Sequence, residues 1–83
     1  MNELHQDVNP NFAVDFLLYY QWLRHDLPAS TAHQLVAYQA TLMADHTIED
    51  TAQGTICWEF SDGSTLLRDS HNSYASYPKG HHV

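Results

Sequence analysis

Apolar positions along this chain keep a helical period and then switch to a period of two, and the pattern divides it into elements. Phe12, Phe16, Tyr19 and Leu23 fall at i, i+4, i+7 and i+11, the spacing of one face of an α-helix. Ala13, Leu17 and Tyr20, then Val14 and Leu18, carry the apolar surface almost all the way round. Ten of the twelve residues from Phe12 to Leu23 are apolar or aromatic. A helix apolar on every side is normally buried on every side, and one small domain can hardly cover it. Part of this surface is therefore expected to meet a second chain. Asn9-Pro10-Asn11 marks the helix start, because asparagine caps and proline is tolerated at the first helical position. Leu27-Pro28 is expected to end it, since the residue before proline is pushed out of the helical region.

A second helix is expected to start at Ser30 or Thr31, where Thr31 and Gln34 have the spacing of a capping box. Ala32, Leu35, Val36, Leu42 and Met43 would line one face, with Gln39 in the middle of the stripe. The helix fades through 45–50, and Gly54 closes the loop. The short link from Leu27 to Ser30 favours an antiparallel helical hairpin.

From Ile56 the period becomes two. Ile56, Trp58 and Phe60 alternate with Cys57, Glu59 and Ser61, a strand pattern, and Asp62-Gly63 is a strong hairpin signal. The return strand runs from Ser64 to Asp69. A two-residue turn would place Leu67 on the Trp58 face, whereas a three-residue turn with a bulge would place Leu66 there. Ser73 to Tyr77 offers an edge strand that Pro78 stops. A lone hairpin is unstable in water and must pack on the helices or on a partner. The pattern predicts an α+β fold: a two-helix hairpin followed by an antiparallel β-hairpin, ααββ, with a third edge strand as an option. The chain then reads as one small domain, with an arm (1–9), a helical hairpin (10–50), a β-hairpin region (54–77) and a tail (78–83).

Length and composition sharpen this. A domain near 83 residues buries roughly 60–65% of the surface its unfolded chain exposes, so stability is marginal and often assisted by association. The single cysteine, Cys57, allows no internal disulfide, which favours a reducing compartment. The first residues lack the features of a signal peptide, and residues 12–23 are too short for a bilayer, which needs about 20. A soluble, cytoplasmic protein is the expectation.

Charge narrows the partner. Three cations (Arg24, Arg68, Lys79) stand against ten carboxylates, a formal net charge of −7. Such a body repels phosphates and attracts basic surfaces, so the expected partner is a basic nucleic-acid-binding protein or complex, with no direct nucleic acid and no membrane. Protonating all seven histidines would carry the charge from −7 to 0, so steering by charge should fade over roughly pH 7 to 5.5.

The histidines show no metal-site spacing. The one close pair, His81-His82, is adjacent in the tail, and His33 and His46 would lie at opposite ends of the second helix. No metal and no cofactor are expected. Cys57 beside Trp58 reads as a small hydrophobe rather than a thiolate. Asp69-Ser70-His71 holds triad residue types, yet consecutive residues cannot adopt triad geometry. No glycine-rich loop cradles phosphate, and an enzyme is not expected. Phe12, Phe16, Leu23, Trp58 and Phe60 are assigned to the core. Tyr20, Trp22, Tyr74 and Tyr77 are candidate contact residues, since tyrosine and tryptophan are enriched at interface hot spots. Asp45, Glu49 and Asp50 are candidates for contact with a basic partner.

The hairpin Cys57-Trp58-Glu59-Phe60-Ser61-Asp62-Gly63-Ser64-Thr65-Leu66-Leu67, about an eighth of the chain, resembles aromatic-x-Phe-x-Asp-Gly/Asn-Ser-x-x-Leu hairpins in anti-defence proteins of phages and mobile elements. Type I anti-CRISPR proteins are the particular likeness. The resemblance implies an inhibitor in the bacterial cytoplasm that blocks the nucleic-acid surface of a CRISPR effector subunit. Because the carboxylates are spread rather than set in rows, steric blocking aided by charge is favoured over mimicry. Two other classes fit the residues: a homodimeric regulator or toxin-neutralising, immunity-type protein with the first helix as its seam, and a histidine-dependent metal-binding or pH-sensing protein.

Overall fold

The first helix is capped from two directions, and this fixes the layout of the molecule. The structure, a computed structural model, describes residues 11–79. Helix α1 (Phe12–Leu23) begins after Asn11, whose side-chain oxygen accepts the Val14 N–H at 2.8 Å. The two preceding orphan donors are met from the far side of the chain. The Phe12 N–H donates to a carboxylate oxygen of Asp62 (2.8 Å), and the Ala13 N–H donates to the Ser64 hydroxyl (3.1 Å).

Helix α2 (Ala29–Met43) follows a short turn, and four strands complete the chain: β1 (His46–Asp50), β2 (Thr55–Glu59), β3 (Thr65–Arg68) and β4 (Tyr74–Tyr77). All neighbours are antiparallel, in the order β1-β2-β3-β4. The α+β expectation holds, with the edge strand at 74–77 present. One strand had no precedent in the pattern. Residues 46–50, assigned above to a fading helix, form β1 at the open edge, where His-Thr-Ile-Glu-Asp carries one apolar residue and no alternation to read. The expected arm (1–9) and the histidine pair of the tail lie outside the described residues.

Three local expectations are corrected. Helix α1 stops at Leu23 rather than running to Leu27; a further turn closes through the Leu27 N–H to the Leu23 carbonyl, and the Arg24 guanidinium donates to the Leu27 carbonyl (2.9 Å each). Pro28, extended at ψ 156°, is itself the N-cap of α2, so the helix starts before Ser30 and the Thr31–Gln34 capping box does not form. The buried stripe of α2 is Ala32, Val36 and Ala40, while Gln39, Leu42 and Met43 face outward.

The β2–β3 connection resolves to the three-residue form. The Phe60 N–H donates to the Ser64 carbonyl (3.0 Å), the Gly63 N–H returns to the Phe60 carbonyl (2.9 Å), and Gly63 takes φ +88°. Trp58 accordingly pairs with Leu66. Both are fully buried and, with Ala13, Phe16, Leu23, Ala32, Val36, Ala40 and Phe60, make the core beneath the helices. Ala13, Ala32 and Ala40 are fully buried in this core, and the Trp58 indole N–H donates to the Thr41 hydroxyl at 3.0 Å. Phe16 stacks on Phe60 at 5.4 Å, and Phe12, half-buried, meets the same ring edge-on at 6.0 Å. Fully burying a side chain of this kind contributes about 1.5–3 kcal/mol. Cys57, Leu67 and Ala75 pair across the other face of the sheet, in line with Ile48.

Candidate protein-binding surface

With one face of each helix committed to the core, the periodicity of α1 and α2 leaves apolar side chains facing away from it. Trp22 is 68% exposed and Leu18 55% on α1. Tyr38 and Leu42, one turn apart on α2, are 61% and 64% exposed, with Met43 at its end. Met43 and Tyr19 line one shallow groove, of about 220 Å³, together with Phe12, Asp15 and Phe16. Tyr19 in turn stacks on Trp22, ring centroids 6.4 Å apart. A path of apolar and aromatic groups thus runs from the end of α2 across to the end of α1, with the exposed Asp15 carboxylate beside it.

The candidate residues do not gather on that face. Trp22 lies on it. Tyr20 and Tyr74 instead meet each other, ring centroids 4.9 Å apart, and both pack against the core. His33 packs against both, 4.8 Å from the Tyr20 ring, its Nδ1 2.8 Å from the Tyr74 hydroxyl and its Nε2 3.4 Å from the Tyr20 hydroxyl. A neutral imidazole offers one donor and one acceptor, so it can serve both phenols at once. Burial, then the Arg68 and Arg24 charges, push the His33 pKa down. Burial, outweighing Arg68, pushes Tyr74 up. This cluster joins α1, α2 and β4. Nothing in the spacing of residues 20, 33 and 74 signals it.

Tyr77 is half-buried on the opposite face of the sheet, across from Thr65. Glu49 and Asp50 are exposed on β1, and Asp45 is exposed just before it. Asp50 also has local work, accepting the N–H groups of Ala52 (3.1 Å) and Gln53 (3.2 Å). Asp69 does the same for His71 and Ser73. Asp62 accepts the Ser64 hydroxyl (2.6 Å) and amide (2.9 Å) as well as the Phe12 amide. Three carboxylates are thus turned onto the protein's own backbone.

The Cys57 thiol is half-buried, and burial followed by the Glu59 charge pushes its pKa up, away from thiolate character. Among the described residues no group of three or more His, Cys, Asp or Glu is placed to hold a metal ion. None of the described helices is long and apolar enough to cross a membrane. Against protein-family models, curated proteins and solved structures, the chain finds no match.

Proposed function

We propose that this chain is a small acidic inhibitor that seats its helical face on a basic, nucleic-acid-handling protein and blocks it sterically. The exposed Trp22, continuous through Tyr19 with the groove at Met43 and flanked by Leu18, carries the reading. Exposed aromatics with large apolar area and a polar atom are the side chains that dominate protein interfaces. The net charge of −7 selects a basic partner and speeds encounter rather than supplying the bulk of the affinity.

Steric blocking is favoured over phosphate mimicry by what the carboxylates do. Asp50, Asp62 and Asp69 are engaged by backbone amides, which leaves no regular row of free anions among them. A CRISPR effector subunit is the target that the likeness to anti-CRISPR hairpins suggests. The hairpin residues themselves are occupied with folding: Trp58, Phe60 and Leu66 are core, and Asp62 and Ser64 cap α1. The helical face, not the hairpin, is therefore the surface to test.

The test is capture from a bacterial lysate with the wild-type chain and with Trp22→Ala side by side, followed by mass spectrometry. The reading predicts a basic, nucleic-acid-handling protein retained by the wild type and depleted with the variant. Recovery of the bait alone, or equal recovery by both, would contradict it.

A further inference from the structure

All five residues of β1 are exposed, and on its outer side it pairs with no strand among the described residues. An edge of this kind is a template for another strand, and proteins usually spoil it with charges. The charges of β1 are arranged differently. About Ile48 as centre, antiparallel self-pairing sets Ile48 opposite Ile48, Thr47 opposite Glu49, His46 opposite Asp50 and Asp45 opposite Thr51. No like charges stand directly across from each other, and the one pair of titratable side chains is of opposite tendency.

The backbone phase agrees. The Asp50 carbonyl accepts the Gly54 N–H at 2.8 Å where the β1–β2 hairpin closes, so Asp50 directs its backbone groups inward. Antiparallel ladders alternate, which turns Ile48 and His46 inward too and leaves the N–H and C=O groups of Thr47 and Glu49 at the open edge. Those are the residues that self-pairing about Ile48 brings together as a hydrogen-bonded pair, with Ile48 at the non-hydrogen-bonded position on the axis. On the outer face, the row Ala75, Leu67, Cys57, Ile48 would continue through Ile48 of the second copy into the same row reversed.

We propose that β1 joins β1 of a second copy of this chain, antiparallel about a two-fold axis at Ile48, making one continuous sheet from two. The contact is isologous and closes on itself, so it yields a dimer and not a filament. It uses none of the residues Trp22, Tyr19 and Met43, so the dimer carries two copies of that docking surface.

The experiment is sedimentation equilibrium of the full chain from micromolar to near-millimolar concentration, for the wild type and for Ile48→Lys. Ile48 is half-exposed and outside the core, and circular dichroism of the variant checks that the fold is kept. A concentration-dependent dimer is expected, with its dissociation constant raised about tenfold or more when two lysines face each other. In a second arm, Ile48→Cys is placed in a Cys57→Ser background. A non-hydrogen-bonded antiparallel pair has Cα atoms about 4.5 Å apart, within disulfide reach, so mild oxidation should give a cross-linked dimer. A monomer at every concentration with no cross-link would overturn the proposal. So would a dimer that Ile48→Lys leaves intact, whether its seam proves to be the helical face or another edge.

Discussion

The amide of Phe12 donates to the carboxylate of Asp62 at 2.8 Å, across fifty residues of sequence. The start of the first helix is thereby completed by a β-turn formed much later in the chain. Ser64 extends the same link, its hydroxyl accepting from Ala13 while donating to Asp62. Helix dipole and carboxylate charge have favourable signs here, negative at the N-terminus.

Asp62→Ala should therefore cost about 1–2 kcal/mol, the worth of a strong N-cap, read as a shift in the urea midpoint. The pH dependence follows from its carboxyl. Burial pushes that pKa up, but the Ser64 hydroxyl, the Phe12 amide and the Ser64 amide together pull it below its ordinary value. A carboxyl lowered in the folded state adds stability that is present above the ordinary carboxyl pKa, about 3.9, and is lost as pH falls through the lowered value. The gap between wild type and Asp62→Ala should be full at pH 7 and close below about pH 4.

His33 carries the opposite charge type and the same sense of dependence. Its pKa is lowered chiefly by burial and secondarily by Arg68 and Arg24. As pH falls through about 6.5, the unfolded chain takes up this proton before the folded one does. Stability is thus present above that value and lost on acidification toward the lowered folded value. His33→Gln should flatten this part of the stability curve, and NMR titration of His33 should find it protonating below the ordinary histidine value.

Tyr20 and Trp22, two residues apart in sequence, should part company on mutation. Tyr20 packs on the core and on His33, so Tyr20→Ala should destabilise the fold by about 1–3 kcal/mol. Trp22, mostly exposed, should leave the unfolding midpoint almost unchanged when replaced by alanine and weaken partner binding by about 1–3 kcal/mol.

Gly63 holds φ +88°, a conformation that costs an L-residue about 1–2 kcal/mol, and an added Cβ would come within 2.7 Å of Lys79 Cγ. Gly63→Ala should be destabilising by about that amount in chemical denaturation, since the lysine side chain can move aside and the backbone cannot.

What the sequence disclosed follows from where each signal is local. Helix α1, the β2–β3 hairpin and the core residues Phe16, Leu23, Trp58 and Phe60 are written in period and turn chemistry, which survive without tertiary context. Strand β1 is not, because an exposed edge strand needs no apolar alternation and borrows its order from β2. The buried stripe of α2 differs from the apolar one for a related reason: Ala40 is buried while Leu42 is not, and an alanine in the core carries little apolar signal to read. Of the candidate site, Trp22 was legible as a large aromatic on a helix with apolar surface to spare. The pairing of Tyr20 and Tyr74 through His33 was not, being a contact among three separate elements.

The central claim, that the helical face displaces nucleic acid from a basic partner, is tested most directly by competition. The partner recovered by capture is loaded with fluorescent nucleic acid and titrated with this protein, with Trp22→Ala as control. Release of the nucleic acid by the wild type, with a weaker effect from the variant, is the predicted result. A stable ternary complex, or release undiminished by Trp22→Ala, would contradict it.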